Sequence, residues 1–334
     1  KNGNSSSRWK REESNLIMNN MKYQVIIIGG GPAGYTAAEA AGKAGLSVLL
    51  FEKQNLGGVC LNEGCIPTKT LLHSAKLYDH ALDSAAYGVT AESVRVDHAA
   101  VIARKERVIK TLVGGVCAAM KASGVTTVNG RAVITGKDPA GYSVKANGDR
   151  YVGKNLIIAT GSESVLPPIE GLRESLNSGF AVTNRELLFS CEAPKRLVVV
   201  GGGVIGLEMA SYYQMTGTAV TVVEMMDHIA GPCDKDLVKL LQKNYERGGM
   251  RFELNACVKA IGNSRVLCQR GGETFDLEAD RVLVALGRRP NSQDLGLESI
   301  GVLLENGAVR TDCHMRTNVP GIYAVGDING KSML

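Results

Sequence analysis

From residue 23 onward the chain alternates short apolar, β-branched runs with glycine-rich turns and helix-prone segments. Tyr23-Gln-Val-Ile-Ile-Ile28 reads as a strand buried on both faces of a parallel sheet. It runs into Gly29-Gly-Gly-Pro-Ala-Gly34, then into a helix predicted over Tyr35–Lys43. A second strand, Gly45–Phe51, ends at Glu52. The plan recurs downstream. The strand Leu197–Val200 leads to Gly201-Gly-Gly-Val-Ile-Gly206, a helix over Leu207–Met215, and a strand Thr218–Val223 ending at Glu224. Glu52 follows Gly29 by 23 positions, Glu224 follows Gly201 by 23, and Gly45 has its counterpart in Gly217. Two β–loop–α–β–acid units so closely matched predict an α/β fold with two Rossmann-like domains.

The physical roles within each unit are shared. Gly29 and Gly201 permit the tight turn out of the strand. Gly31 and Gly203 let a pyrophosphate approach the backbone, and Gly34 and Gly206 let helix and strand pack closely, with the phosphate at the positive helix N-terminus. Glu52 and Glu224 stand where a carboxylate hydrogen-bonds the adenosine ribose. Glu224 is followed by Met225, Met226 and Asp227 rather than arginines, so the second unit is expected to prefer NAD over NADP. A plain solvated charge at a strand end is the competing reading of Glu224.

Two later runs also pair up: Leu156-Ile-Ile-Ala-Thr-Gly161 and Val282-Leu-Val-Ala-Leu-Gly287 each end a buried strand in glycine. A third, Gly321-Ile-Tyr-Ala-Val-Gly-Asp327, places an acid where it can accept a sugar hydroxyl or simply form a turn. Pro167-Pro168 and Arg288-Arg289-Pro290 are the best linker signals. They predict a discontinuous first domain of 21–165 and 290–334, with the second, 166–289, inserted into it.

Composition narrows the classes. The chain has 334 residues, 40 of them Gly and 44% hydrophobic, without the G-X-Y period of collagen. No apolar run reaches the ~18 residues of a membrane span. The net charge of +5 is too small and scattered for a nucleic-acid footprint. Residues 1–20 are polar and Ser/Asn-rich, and are expected to be a tag or flexible linker, with Met21 as the natural start. The eight cysteines form no small-domain disulfide framework, which favours a reducing compartment.

Two cysteines lie close together, in Gly57-Gly-Val-Cys60-Leu-Asn-Glu-Gly-Cys65-Ile-Pro67-Thr-Lys69. Pro67 suits the first position of a helix. That puts Cys65 at the helix N-terminus, where the dipole favours a thiolate. Lys69 would lie one turn along on the same face, and Gly64 lets Cys60 reach back to close a disulfide. A redox dithiol, a structural disulfide and a zinc half-site are the readings open here. No second Cys/His pair has ligand spacing, so no metal is expected.

These residues resemble the flavin disulfide reductases, in particular the dihydrolipoamide dehydrogenase branch. The likeness runs from Tyr23 to Leu334 and is carried by GGGPAG, GGVCLNEGCIPTK, ATGS, GGGVIGLE, ALGRRPN and the stretch from Thr317 to Asp327. Leu61, Ile66 and Thr68 favour the lipoamide over the glutathione branch. The resemblance implies FAD in the first unit and NAD in the second. It implies a redox disulfide in which Cys60 is the interchange thiol and Cys65 the thiolate against the flavin, with Lys69 near the flavin and paired with Glu208. For FAD it implies Gly29, Gly31, Gly34, Glu52, Lys53, Gly58, Lys69, Ala132, Thr160, Gly161, Ser162, Asp327, Met333 and Leu334. For NAD it implies Gly201, Gly203, Val204, Ile205, Gly206, Glu208, Glu224, Val258 and Gly287. The implied reaction passes electrons from dihydrolipoamide through the disulfide and FAD to NAD⁺.

Implied partners are the lipoyl domain of a 2-oxo acid dehydrogenase complex or of the glycine cleavage system, and a second copy in a homodimer, with neither nucleic acid nor membrane. The implied compartment is the cytoplasm, or the mitochondrial matrix in a eukaryote. The family also carries a C-terminal dimerisation domain with a His-x-x-x-x-Glu base. None of His73, His80, His98, His228 and His314 has Glu five residues on. The expectation is that this domain and its histidine are absent, and that these five histidines are surface or core residues. Another disulfide or mercuric reductase of the superfamily, and a nucleotide-binding scaffold subunit, are the alternative functions.

Overall fold

The computed structural model describes residues 21–333. The 1–20 stretch and Leu334, both singled out above, lie outside the described residues. Helices among those residues are α1 (Pro32–Lys43), α2 (Gly58–Glu63), α3 (Cys65–Leu82), α4 (His98–Ala122), α5 (Leu172–Ser178), α6 (Asn184–Leu187), α7 (Val204–Met215) and α8 (Lys235–Arg247). None is long and apolar enough to cross a membrane. The chain divides into two compact units, the first reaching to Asn62 and taking in Thr111–Glu163 and the stretch from Arg288 onward. The second is Glu63–Lys110 with Ser164–Gly287.

The first unit is built on a seven-stranded sheet. Its strands run in the order Thr126–Asn129, Val48–Glu52, Met21–Ile28, Asp149–Ile158, Gly141–Ala146 and Val133–Asp138, with Ile322–Ala324 also pairing to Asp149–Ile158. The central pairs are parallel and in register, Ile28 opposite both Phe51 and Ile158. Strand alternation divides the apolar run between two cores. Ile26, Ile28, Leu49, Phe51, Leu156 and Ile158 pack on one face; Val25, Ile27, Val48 and Leu50 pack on the other, against Ala38 of α1 and Met120 of α4. Each fully buried Leu or Ile contributes about 1.5–3 kcal/mol. That is why a sequence with so few aromatic residues still holds a deep core.

The second unit repeats this plan in a five-stranded parallel sheet, ordered Arg251–Glu253, Ala219–Val223, Arg196–Val200, Arg281–Val284 and Ala181–Val182. A separate antiparallel sheet joins Cys257–Gly262, Arg265–Arg270 and Glu273–Glu278. Where this unit's chain enters and leaves, the Val165 amide donates to the Gly287 carbonyl at 3.0 Å.

Several boundaries differ from the sequence reading. Both glycine-loop helices begin three residues early, at Pro32 and Val204, because the loop's last residues already have helical backbone and Pro32 suits the first turn. The strand expected from Gly45 starts at Val48, Gly45 through Ser47 being an exposed turn. Compact packing also draws the domain lines differently, by two residues at each expected linker, where the second unit holds 164–287, and by a whole segment elsewhere. Residues 63–110, expected within the first domain, belong to the second unit. The cause is packing: Leu71 and Ala75 of α3 and Ile102 of α4 are buried with Leu187, Leu197, Met209 and Tyr213.

Candidate functional site

In the first unit, Gly29 leaves its strand with φ of +109°, and a Cβ there would stand 2.2 Å from the Ala159 carbonyl oxygen. A Cβ on Gly34 would lie 1.8 Å from the Gly29 oxygen, so this glycine lets α1 lie against the strand. Gly31 differs: the nearest atom to a Cβ would be the Gly58 Cα at 3.9 Å. Nothing in the protein demands a glycine there, which leaves a cradle for a ligand. The second unit matches position by position. Gly201 (φ +107°) and Gly206 are forced by the Ala285 and Gly201 carbonyl oxygens at 2.4 and 2.2 Å, whereas Gly203 has no atom within 4 Å. Each cradle opens a helix, α1 or α7, whose start no side chain caps, so the N–H groups that follow Pro32 and those from Val204 face the cradle without a side-chain acceptor. Both loops fit a dinucleotide pyrophosphate.

The two strand-end acids do more than the spacing predicts. Glu52 accepts the Gly30 amide at 2.7 Å through Oε2 and the Gln54 amide at 2.8 Å through Oε1. Glu224 accepts the Gly202 amide at 2.7 Å and the Met226 amide at 2.9 Å in the same way. Each carboxylate therefore braces the glycine loop it faces. The shared 23-residue spacing was the visible trace of that contact. Val204 is exposed at the second cradle, and Ile205 is half-buried behind it.

Around the ends of the first sheet the structure gathers further predicted residues. Ser162 donates to Asp327 at 2.5 Å, and Arg288 reaches the Ser162 hydroxyl and carbonyl at 2.7 and 2.6 Å. Thr160 donates its hydroxyl to the Asn291 carbonyl at 2.8 Å, while the Asn291 side chain returns to the Thr160 carbonyl at 3.1 Å. The sequence reads Arg288 as linker and Asn291 only as the end of ALGRRPN, and neither reading shows their part in holding Thr160, Gly161 and Ser162. Ala132 is buried in the core beside these strands, whereas Lys53 and Met333 are exposed. In the second unit Val258 packs partly buried on the core, and Gly287, at φ +99°, closes its strand with open space where a Cβ would be.

The cysteine segment runs from α2 into α3. Cys65 is the first residue of α3 with Gly64 as its cap, and Pro67 stands third rather than first. Both Cys60 and Cys65 are half-buried. Lys69, one turn beyond Cys65, meets Glu208 of α7, its Nζ lying 2.7 Å from Oε1 and 3.0 Å from Oε2. The Lys69 side chain is 58% exposed and Glu208 26%, so the pair is screened on one side only. The residues between the cysteines are anchored too. Asn62 donates to the Leu56 and Gly58 carbonyls at 3.1 and 2.9 Å, and Glu63 is held by Asn184 and Arg185. Tyr35 of α1, whose phenol is pushed up by burial and then by Cys60 and Glu39, lies close to Cys60. No sequence signal pointed to Asn184, Arg185 or Tyr35.

Two histidines have defined surroundings. His98 Nε2 lies 3.0 Å from the Ser190 carbonyl, so this nitrogen carries the proton and Nδ1 accepts the Tyr212 hydroxyl at 2.7 Å. Burial holds its pKa below the usual value. His228, paired with Asp227 at 2.5 Å, is shifted upward by that contact. Among the described residues no group of three or more His, Cys, Asp or Glu is placed to hold a metal ion. Cys268 is buried in the second unit, which pushes its thiol to about 12 and makes it a poor nucleophile.

Comparison with known proteins agrees with this geometry. The family model described as pyridine nucleotide-disulphide oxidoreductase matches residues 23–334. A dihydrolipoyl dehydrogenase of Acholeplasma laidlawii is 42% identical over 94% of this chain and 92% of its own length. A dihydrolipoyl dehydrogenase of Geobacillus stearothermophilus is 38% identical over 91% of this chain, which spans 65% of that protein. The HOCl-induced flavoprotein disulfide reductase RclA from Escherichia coli, solved as a Cu(II) complex, superposes with a TM-score of 0.82 at 30% identity, covering 94% of this chain and 67% of its own.

Proposed function

This chain belongs to the pyridine nucleotide-disulphide oxidoreductase family, and on that premise we propose that it works as an FAD-dependent dihydrolipoyl dehydrogenase with NAD⁺ as acceptor. The observation that carries the reading is the coexistence of two equivalent glycine cradles, each with its acid, and a cysteine pair at the start of α3. Two dinucleotides and one dithiol are what a thiol-to-nicotinamide electron transfer requires.

In the proposed reaction the dihydrolipoamide dithiol attacks the Cys60–Cys65 disulfide at Cys60. The substrate leaves as a cyclic disulfide, and the protein retains two electrons on Cys60 and Cys65. Bound FAD supplies the two-electron chemistry between this dithiol and the nicotinamide. The protein's part is placement and charge. Gly31 and Gly203 leave room for the pyrophosphates. Glu52 and Glu224 fix the loops and present carboxylate to the ribose hydroxyls, while Ser162 and Asp327 offer hydroxyl and carboxylate oxygens to the FAD sugar chain. Cys65 stands at the N-terminus of α3, and Lys69, steadied by Glu208, places a cation one turn away.

The proposed donor is a lipoyl domain of a 2-oxo acid dehydrogenase complex or of the glycine cleavage system, met by a homodimer in the cytoplasm or, in a eukaryote, the mitochondrial matrix. The purified chain should take up FAD and reduce lipoamide with NADH in preference to glutathione disulfide or Hg(II). Preference for either of the latter assigns it to another reductase of the family, and failure to take up FAD assigns it to a nucleotide-binding scaffold.

A further inference from the structure

The residues between the cysteines are tied down by an element far away in sequence. Glu63 ends α2, and its carbonyl accepts the Asn184 side-chain amide at 2.8 Å while its Oε1 pairs with the Arg185 guanidinium at 3.0 Å. The Glu63 side chain is only 17% exposed and Asn184 is buried. Asn184 and Arg185 are the first residues of α6, a helix of four residues. A single turn does not persist by itself in water, so its surroundings must hold it.

They do so at both ends. Thr183 and Glu186 form a reciprocal capping box at its start. At its close the Lys105 ammonium donates to the Leu188 carbonyl at 2.9 Å and the Tyr213 hydroxyl to the Leu187 carbonyl at 3.2 Å, while His98 reaches the Ser190 carbonyl just beyond. Lys105 and Tyr213 are fully buried, a costly use of polar groups that is offset by these bonds and, for Lys105, by the Phe189 ring 3.5 Å from its Nζ. So much buried polar investment in one turn calls for a reason, and the two side chains this turn presents to Glu63 supply it.

We propose that α6 is the positioning element of the redox turn: through Glu63, Asn184 and Arg185 hold the chain between the cysteines in the conformation from which the Cys60–Cys65 bond closes. The proposal rests on the reading of Cys60 and Cys65 as a redox pair. Closure removes two protons and two electrons from the two thiols and joins their sulfurs. In the presence of glutathione disulfide, that oxidant is cleaved to two glutathione thiols. With Glu63 held, much of the ordering cost of closure is already met in the dithiol. Freeing one residue's backbone is a factor of roughly five to thirty in equilibrium constant. Because removing the ion pair leaves Asn184 on the Glu63 carbonyl and Asn62 on its own anchors, only part of that factor is lost, and the expected loss is about three- to tenfold, or about 14–30 mV for a two-electron couple.

The test uses the full chain equilibrated in glutathione redox buffers, with thiols trapped and the 60–65 peptide weighed. Arg185→Gln and Glu63→Gln should each shift the equilibrium three- to tenfold toward the dithiol, and the double variant should go no further than either. Arg185→Lys, which keeps the cation, should recover at least half of the shift. Lys239→Gln, which removes an exposed pair with Asp236 on α8, should leave the equilibrium unchanged. Melting temperatures measured alongside separate a loosened turn from a loosened fold. No shift in Arg185→Gln and Glu63→Gln, or an equal shift in Lys239→Gln, overturns the positioning role while leaving the redox reading intact. If the unsubstituted chain forms no 60–65 bond at all, the redox reading itself falls, and this proposal with it.

Discussion

Glu224 offers the sharpest test of the nucleotide preference we propose, because that reading gives its carboxylate two purposes that a single substitution separates. Both oxygens accept backbone amides, from Gly202 at 2.7 Å and Met226 at 2.9 Å. In Glu224→Gln one terminal atom becomes a donor and faces an N–H that can no longer be accepted. A hydrogen bond to a charged group contributes about 1.5–3 kcal/mol and a neutral one about 0.5–1.5. One bond is lost and the other weakened, so bracing of the loop falls by about 2–4 kcal/mol before solvent makes up part of the difference. Glu224 is half-buried, and we expect about 1–2 kcal/mol to remain as weaker binding, roughly a five- to thirtyfold rise in Kd. That loss strikes NAD⁺ and NADP⁺ alike, since both place a pyrophosphate on the same loop.

Discrimination is the second purpose the proposed function assigns to it. A carboxylate accepts the ribose hydroxyls of NAD⁺ and repels the 2′-phosphate of NADP⁺. The preference should therefore narrow by a further 1–3 kcal/mol or so, the scale of a lost charged hydrogen bond. Calorimetric titration with each nucleotide reads both effects. Equal weakening of NAD⁺ and NADP⁺ would show that Glu224 acts on the loop alone. An unchanged ratio together with unchanged affinities would remove it from the site.

The glycines make a paired prediction. Gly34→Ala forces a Cβ to 1.8 Å from the Gly29 oxygen and should lower the melting temperature sharply, whereas Gly203→Ala, with no atom within 4 Å, should keep the fold and lose NAD⁺ binding; thermal unfolding with nucleotide titration distinguishes the two. For His98, the folded pKa lies below its unfolded value near 6.5. The unfolded chain then takes up the proton first, so its contribution to stability is present above pH 6.5 and is lost as pH falls toward the folded pKa. Urea unfolding of wild type and His98→Gln should show a shallower decline between pH 7 and 5 in the variant, and parallel curves would contradict it. For the thiols, Cys60→Ser carrying FAD should show a long-wavelength absorption without reductant and Cys65→Ser none; the reverse pattern would exchange their roles.

Much of the architecture could be read from local pattern because its causes are local. A β-branched run, a glycine loop and an acid at fixed spacing place strand, turn and strand end within one stretch of chain. The same holds for Cys65 at its helix start. What the sequence hid is tertiary. Nothing near Lys105 announces that it reaches Leu188, and nothing in Thr183-Asn-Arg-Glu186 beyond its capping pattern points to the cysteine segment. The membership of α3 in the second unit depends on Leu71 and Ala75 meeting Met209 and Tyr213, a match of surfaces that no periodicity of α3 alone specifies. The antiparallel strands Val133–Asp138 and Gly141–Ala146 went unread for a related reason. Their alternation is broken by a bulge between Ile134 and Gly136.

The duplication also explains where the two units part ways. In both, the segment after the strand-end acid turns back and donates an amide to a glycine carbonyl of the loop: Gly57 to Gly30 and Ala230 to Gly202, each at 2.8 Å. Both residues have positive φ, +97° for Gly57 and +62° for Ala230. The acid holds the amide of the same glycine whose carbonyl this return holds, so each loop is clamped on both sides of one residue. The clamp needs only a return of the chain and leaves the residues beyond it unconstrained. After Ala230 the second unit continues through Pro232 to α8. After Gly57 the first continues through Gly58, where a Cβ would stand 2.6 Å from the Gly31 Cα, directly into the helix bearing Cys60. The cysteine segment thus begins at a point where the fold has already fixed the chain against the cradle.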